Sequence, residues 1–135
     1  MIIMSKFIKR LTKSLKNIEN CIILGDGFGH IDDIIESFNT VFFVGSTGAD
    51  IKLKNTIYIE NYEYVEQLSD ISCIIVNRSK VKDINRLQPF WIKKKPLIIF
   101  EGSEVIERDF SEEMYRYGYR AVEQYKDYHV WQKIK

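Results

Sequence analysis

Short apolar runs recur along this chain and are separated by polar segments and glycines. Seven of these runs have the β-branched and aromatic character of strands: Cys21–Leu24, Thr40–Val44, Thr56–Ile59, Ile71–Val76, Leu97–Phe100, Tyr119–Tyr125 and Tyr128–Ile134. Only two residues, Lys126-Asp127, separate the last pair, and so tight a connection predicts an antiparallel hairpin.

Helical spacing of apolar residues lies between most of these runs. The clearest case is an amphipathic leading helix, Ser5–Glu19, and shorter patterns follow at Ile31–Phe38, Tyr62–Leu68, Val81–Lys95 with a break at Pro89, and Phe110–Tyr117. Strands that alternate with helices predict an α/β fold with a mostly parallel sheet, closed by the terminal hairpin. No linker or repeat divides the chain, so we expect a single domain over residues 1–135.

Composition and charge narrow the functional classes. The formal net charge is +1, which gives no global field favouring nucleic acid or acidic membranes. No apolar run approaches the roughly 18 residues of a membrane span. The basic face of the leading helix therefore predicts a solvated surface, with a membrane-surface or nucleic-acid contact as alternatives. Cys21 and Cys73 lie in apolar runs without metal-ligand spacing, which predicts no metal site and a reducing, cytoplasmic location.

A glycine loop follows the first predicted strand and is the chain's clearest ligand-binding device. Gly25, Gly27 and Gly29 stand on alternate positions before the Ile31–Phe38 helix, an arrangement that brings backbone N–H groups to a ligand. Asp26 projects from the loop, where solvation competes with ligand contact. His30 stands at the loop mouth, where packing competes with ligand contact. In a nicotinamide-binding loop the third glycine would stand at position 30, which here is His30. A nucleotide-phosphate loop would need a Gly-Lys-Ser/Thr sequence after the glycines, and none follows.

The segment Leu24-Gly25-Asp26-Gly27-Phe28-Gly29 resembles the first motif of the class I S-adenosylmethionine-dependent methyltransferases, and the closing hairpin is similar to that family's last two strands. The resemblance implies a Rossmann-like sheet with helices on both faces and S-adenosylmethionine as cofactor. Carried over position by position, it implies cofactor-binding residues in the loop and after the second, third and fourth strands: Gly25, Asp26, Gly27, Phe28, Gly29, His30, Ser46, Glu60, Asn61 and Asn77.

Two departures from the family pattern bear on activity. The acid that holds the ribose hydroxyls at the end of the second strand is replaced by Gly45, so Ser46 or Asp50 would have to substitute for it. After the fourth strand, Asn77 is followed by Arg78-Ser79-Lys80 and not by the prolines and aromatic residue of amino-methylating members.

Three functions remain open after these departures. The leading one is a small S-adenosylmethionine-dependent methyltransferase of unknown acceptor. The alternatives are a non-catalytic methyltransferase-like module that acts as a structural or partner subunit, and an enzyme that cleaves S-adenosylmethionine. Because so small a chain leaves its cofactor exposed, we also expect a homo-oligomer or a protein partner to close the site.

Overall fold

The computed structural model describes residues 20–25, 38–45, 55–77, 84–101, 112, 114–125 and 128–134. Within these ranges the seven predicted strands are all present. The bounds predicted for the first four strands agree with the observed bounds to within one residue. The bounds are β1 Asn20–Leu24, β2 Thr40–Val44, β3 Thr56–Ile59, β4 Ile71–Val76, β5 Leu97–Glu101, β6 Tyr119–Tyr125 and β7 Tyr128–Lys133.

All seven strands belong to one sheet with the order β3-β2-β1-β4-β5-β7-β6. β7 pairs antiparallel with both β5 and β6, and the other described pairings are parallel, so β7 alone is reversed. The predicted hairpin is confirmed. β7 lies between β5 and β6, and β6 forms the edge of the sheet. In the centre, Leu24 of β1 is level with Val44 of β2 and with Val76 of β4.

The central strands are apolar on both faces, as expected for parallel strands covered on two sides. Ile22 and Ile74 are fully buried on one face, in a core cluster that also contains Trp91. Cys21 and Cys73 are neighbours on the opposite face, where their sulfur atoms lie 3.6 Å apart. Burial raises the pKa of the Cys21 thiol well above its ordinary value, and the hydrogen bond with Cys73 raises it further.

Two aromatic side chains organise the core beside β5. The indole N–H of Trp91 donates to the Ile84 carbonyl oxygen at 3.0 Å, and the Trp91 and Tyr119 rings meet edge-to-face with centroids 5.3 Å apart. The Tyr119 hydroxyl in turn donates to the Pro96 carbonyl oxygen at 2.8 Å. These bonds satisfy buried polar groups that would otherwise lose their hydration without compensation.

Two helical elements position the residues of the site on this core. A 3₁₀ helix spans Tyr62–Gln67, and an α-helix, α1, spans Gln88–Lys94. The predicted break at Pro89 is confirmed, because Pro89 lies in the first turn of α1, where its missing N–H has no helical partner to lose. α1 ends at a left-handed Lys95 (φ 56°), and the lysines of its last turn suit the negative end of the helix dipole.

Several predicted segments lie outside the described residues. They include the leading helix Ser5–Glu19, the helix expected after the glycine loop and the Lys126-Asp127 turn. Of the predicted helix Phe110–Tyr117, the structure describes helical residues at 112 and 114–116. No helix in the described part of the chain is long and apolar enough to cross a membrane.

Candidate functional site

The carboxyl ends of the parallel strands bring four predicted site residues to one edge of the sheet. Gly25 follows β1, Glu60 and Asn61 follow β3, and Asn77 follows β4. The order of the strands reverses between β2-β1 and β4-β5, so this edge carries the topological switch point at which open α/β sheets bind ligands.

Gly25 and Asn77 lie side by side at the switch point. The Asn77 backbone N–H donates to the Leu24 carbonyl oxygen at 2.9 Å, which carries the β1–β4 pairing one residue beyond the strands. The Asn77 side chain is only 7% exposed, and it is the buried polar residue of the described core. Gly25 has a φ of 100°, a conformation that a side chain would strain and glycine adopts freely. The backbone conformation therefore favours glycine at the first position of the glycine loop.

Gly45 lies at the end of β2, where the resemblance implied a ribose-binding acid. Its N–H donates to the Ile59 carbonyl oxygen at 2.8 Å, and its φ is 70°. A Cβ atom added to Gly45 would lie 2.6 Å from Cε2 and Cζ of Tyr62 and would contact the Tyr62 hydroxyl oxygen even more closely. The acid is thus absent, and the Tyr62 ring fills the volume through which its side chain would project.

The Arg86 side chain also contacts the Tyr62 ring. The Arg86 guanidinium carbon lies 3.8 Å from the centroid of the Tyr62 ring, a cation–π contact between the 3₁₀ helix and the turn that precedes α1. The planar guanidinium group of an arginine stacks on an aromatic face. Tyr62 therefore packs against Arg86 and also lies beside Gly45.

Glu60 and Asn61 have different surroundings from Gly25 and Asn77. Both are exposed, and the Asn61 side-chain oxygen accepts a hydrogen bond from the Glu63 N–H at 3.0 Å, which caps the 3₁₀ helix. Asn61 thus has a local structural role in addition to its position at the edge. The remaining predicted site residues lie outside the described residues: Asp26, Gly27, Phe28, Gly29, His30 and Ser46.

Two cavities open beside Asn61 and Arg86. One of about 640 Å³ is bordered by Tyr58, Glu60, Tyr64 and Arg86, and one of about 340 Å³ lies between the 3₁₀ helix and α1 and is also bordered by Arg86. Arg86 was not a predicted site residue. It lies 24 positions after Tyr62 in the chain, so only the folded sheet reveals that the two side chains meet.

His129 lies on β7 level with Phe100 of β5, inside the sheet and not at its edge. Its Nε2 atom is buried and has no hydrogen-bond partner among the described residues. In the described part of the chain, no group of three or more His, Cys, Asp or Glu residues could hold a metal ion.

The strand order and the single reversed strand define a methyltransferase-like α/β fold. The chain is similar in structure to a proposed type II methyltransferase from Anaeromyxobacter dehalogenans, with a TM-score of 0.54 and 14% identity over 83% of this chain. That match spans 57% of the other chain's length. The chain is also similar to precorrin 8W decarboxylase from Methanobacterium thermoautotrophicum, with a TM-score of 0.60 and 13% identity over 96% of this chain and 90% of that chain.

No family model matches the sequence, and no curated protein matches it either. At 13–14% identity the structural likeness establishes the fold, which confirms the fold expected from the glycine motif and the closing hairpin. Ligand and activity are not carried over by that likeness.

Proposed function

We propose that this chain binds S-adenosylmethionine, or a related adenosyl ligand, at the carboxyl edge of its sheet. The observation that carries the proposal is the meeting of Gly25 and the buried Asn77 at the switch point of a methyltransferase-like sheet. Asn77 supplies donor and acceptor groups in a place shielded from water, where a hydrogen bond to a ligand discriminates most strongly.

The ribose position requires a different partner from the family's acid. The Tyr62 hydroxyl lies beside Gly45, where that acid would begin, and a hydroxyl both donates and accepts. The described residues therefore fit a ribose held through one hydroxyl group, in place of a carboxylate that accepts two hydrogen bonds. Arg86 behind the ring fixes the orientation of Tyr62.

Methyl transfer is the first reaction to test. S-Adenosylmethionine supplies an already activated methyl group, so the protein has to align the acceptor and exclude water. Cleavage of the same ligand is the other reaction that this site would permit. The free, buried thiols of Cys21 and Cys73 support a reducing, cytoplasmic setting for either reaction.

Calorimetric titration with S-adenosylmethionine and S-adenosylhomocysteine tests the proposal. Tyr62→Phe removes only the hydroxyl group, so we expect binding to weaken by about 2- to 13-fold, the range of one neutral hydrogen bond. Tyr115→Phe makes the same chemical change on an exposed tyrosine that packs on Trp131 of β7, away from this edge, and should leave binding unchanged. Gly27→Val, with folding checked by circular dichroism, should abolish binding if the glycine loop holds the ligand. Product analysis then separates transfer, which yields S-adenosylhomocysteine, from cleavage.

A non-catalytic, structural or partner subunit is the second candidate. The packing of Tyr62 into the place of the ribose-binding acid favours it, since that packing removes the strongest hold on the cofactor. Absence of binding at millimolar ligand would refute the leading proposal and support this one.

A further inference from the structure

Positive charge in the described part of the chain is concentrated at one end of the sheet. This part contains seven basic and seven acidic residues, so its balanced net charge hides how the charges are arranged. Three of the acids, Glu60, Glu63 and Glu66, follow β3 at the carboxyl edge. Six of the seven basic residues lie at the opposite edge, and we call them the basic patch: Lys93, Lys94, Lys95, Arg116, Arg120 and Lys133.

The ends of four elements meet at the basic patch. The three lysines end α1 just before β5, and Arg116 lies in the helical residues that precede β6. Arg120 is the second residue of β6, and Lys133 is the last residue of β7, level with the first residue of β6. Because β5, β7 and β6 are neighbours in the sheet, these ends lie next to one another.

Contacts beneath the basic patch fix its parts together. Trp91 of α1 meets the Tyr117 ring edge-to-face with centroids 5.7 Å apart, and the Lys133 ammonium group donates to the Tyr117 carbonyl oxygen. The Arg120 guanidinium group donates to the Tyr119 carbonyl oxygen at 2.8 Å. The patch is therefore attached to the core cluster that contains Trp91 and Tyr119.

The helix dipole explains only part of this charge. Lysines in the last turn of α1 suit the negative end of that helix, but Arg120 and Lys133 lie on strands, which have only small dipoles. In the described part of the chain the acidic residue at this edge is Asp70, which precedes β4. Basic residues gathered on one surface with so little acid among them are typical of a surface that binds a polyanion.

An exposed aromatic ring adjoins the basic patch. Tyr115 is 45% exposed, and the Arg120 guanidinium carbon lies 5.0 Å from the centroid of its ring. Aromatic rings and guanidinium planes are the surfaces on which unpaired bases stack. A membrane-surface helix would instead leave its apolar face exposed, whereas α1 buries its apolar residues Phe90 and Trp91.

We propose that the basic patch binds the phosphate backbone of a single-stranded nucleic acid, whose bases stack on Tyr115 and Arg120. Neighbouring strands lie about 4.8 Å apart, so the ends of β5, β7 and β6 extend over about 10 Å. At about 3.4 Å per phosphate of one strand, this length accommodates about three phosphates. The inference is independent of the proposed function, because the patch lies at the edge of the sheet opposite Gly25 and Asn77.

Fluorescence anisotropy of the full chain with labelled oligo-dT and oligo-U of roughly 12 nucleotides tests the proposal. We expect a dissociation constant of roughly 1–100 µM in 50 mM KCl, the range of sequence-independent binding. Three phosphate contacts on a single strand should lower the affinity about 20-fold between 50 and 200 mM KCl. DNA and RNA should bind alike, since the patch contacts the features that the two share.

A triple variant locates the binding surface. Lys93→Gln/Lys94→Gln/Arg116→Gln removes three exposed charges and should weaken binding about tenfold or more in 50 mM KCl. Its salt dependence should also fall below about tenfold, because each lost phosphate contact lowers the slope. Arg86→Gln is the matched control: it removes the seventh basic residue of the described part, at the carboxyl edge, and should change neither quantity. Circular dichroism checks that each variant is folded.

Tyr115→Leu tests the stacking separately from the charge. It removes the aromatic face while keeping an apolar side chain, so binding should weaken about 5-fold or more with the salt dependence unchanged. An unchanged dissociation constant in Tyr115→Leu would contradict base stacking. Absence of binding at roughly 100 µM protein, or equal weakening by Arg86→Gln and the triple variant, would overturn the proposal. Binding to vesicles with about 30% phosphatidylserine but not to the oligonucleotides would overturn it in favour of a membrane surface.

Discussion

Introducing an acid at position 45, where class I methyltransferases have one, is the most direct probe of how this site is built. The substitution Gly45→Asp introduces a side chain at a φ of 70°, which costs about 1–2 kcal/mol for a residue other than glycine. Its Cβ atom would also lie 2.6 Å from two carbons of the Tyr62 ring, and displacing a packed ring costs about 1–3 kcal/mol. We expect the free energy of unfolding to fall by the sum, about 2–5 kcal/mol.

Urea denaturation of single and double variants separates the two contributions. Tyr62→Ala removes the ring, so Gly45→Asp should be less damaging by about 1–3 kcal/mol in its presence, while the backbone cost remains. Gly118→Asp is the control: Gly118 has a φ of 85° at the start of β6, away from Tyr62, and its cost should not depend on the Tyr62 variant. Additive effects of Gly45→Asp and Tyr62→Ala would refute the conclusion that Tyr62 occupies the place of the acid.

Two further predictions concern buried polar groups. Burial raises the pKa of the Cys21 thiol above its ordinary 9.0, so the unfolded chain loses this proton first as the pH rises. The free energy of unfolding should consequently fall by about 1.4 kcal/mol per pH unit above pH 9. Cys21→Ala should remove that pH dependence when the free energy is measured by urea titration at several pH values. Equal slopes in the wild-type and variant proteins would contradict the assignment to Cys21. Tyr119→Phe leaves the buried Pro96 carbonyl oxygen without its 2.8 Å hydrogen bond and should lower the free energy of unfolding by about 1–3 kcal/mol; no loss relative to the exposed control Tyr64→Phe would show that the bond is replaced.

The strands were predictable because each is a local signal. Runs such as Ile71–Val76 are uniformly apolar and β-branched, and a parallel strand buried on both faces requires that composition. The break at Pro89 was predictable for the same reason, since proline's missing N–H acts within one turn. The type of sheet, mostly parallel with a terminal antiparallel hairpin, followed from the alternation of strands and helices and from the resemblance, whereas the order of the strands came from the structure alone.

The arrangement of the candidate site was only partly predictable. The departure at Gly45 was visible in the sequence. The contact of Gly45 with Tyr62 was not, because it depends on β3 lying next to β2 and on the path of the chain after β3. Arg86 carried no sequence signal, as a lone arginine before a helix is ordinary on any protein surface. Asn77 was identified from its position after β4, but its burial requires the whole sheet.

The neighbouring positions of Cys21 and Cys73 have a consequence for how the chain folds. These residues are 52 positions apart in the sequence, and their strands form the centre of the sheet. β1 therefore cannot acquire its second neighbour until more than half of the chain has been synthesised, whereas the β6–β7 hairpin pairs within a few residues. Non-local pairing of this kind slows folding through the entropy of closing a long loop. Until β4 has been synthesised, β1 of a ribosome-bound chain therefore exposes an apolar edge that can aggregate.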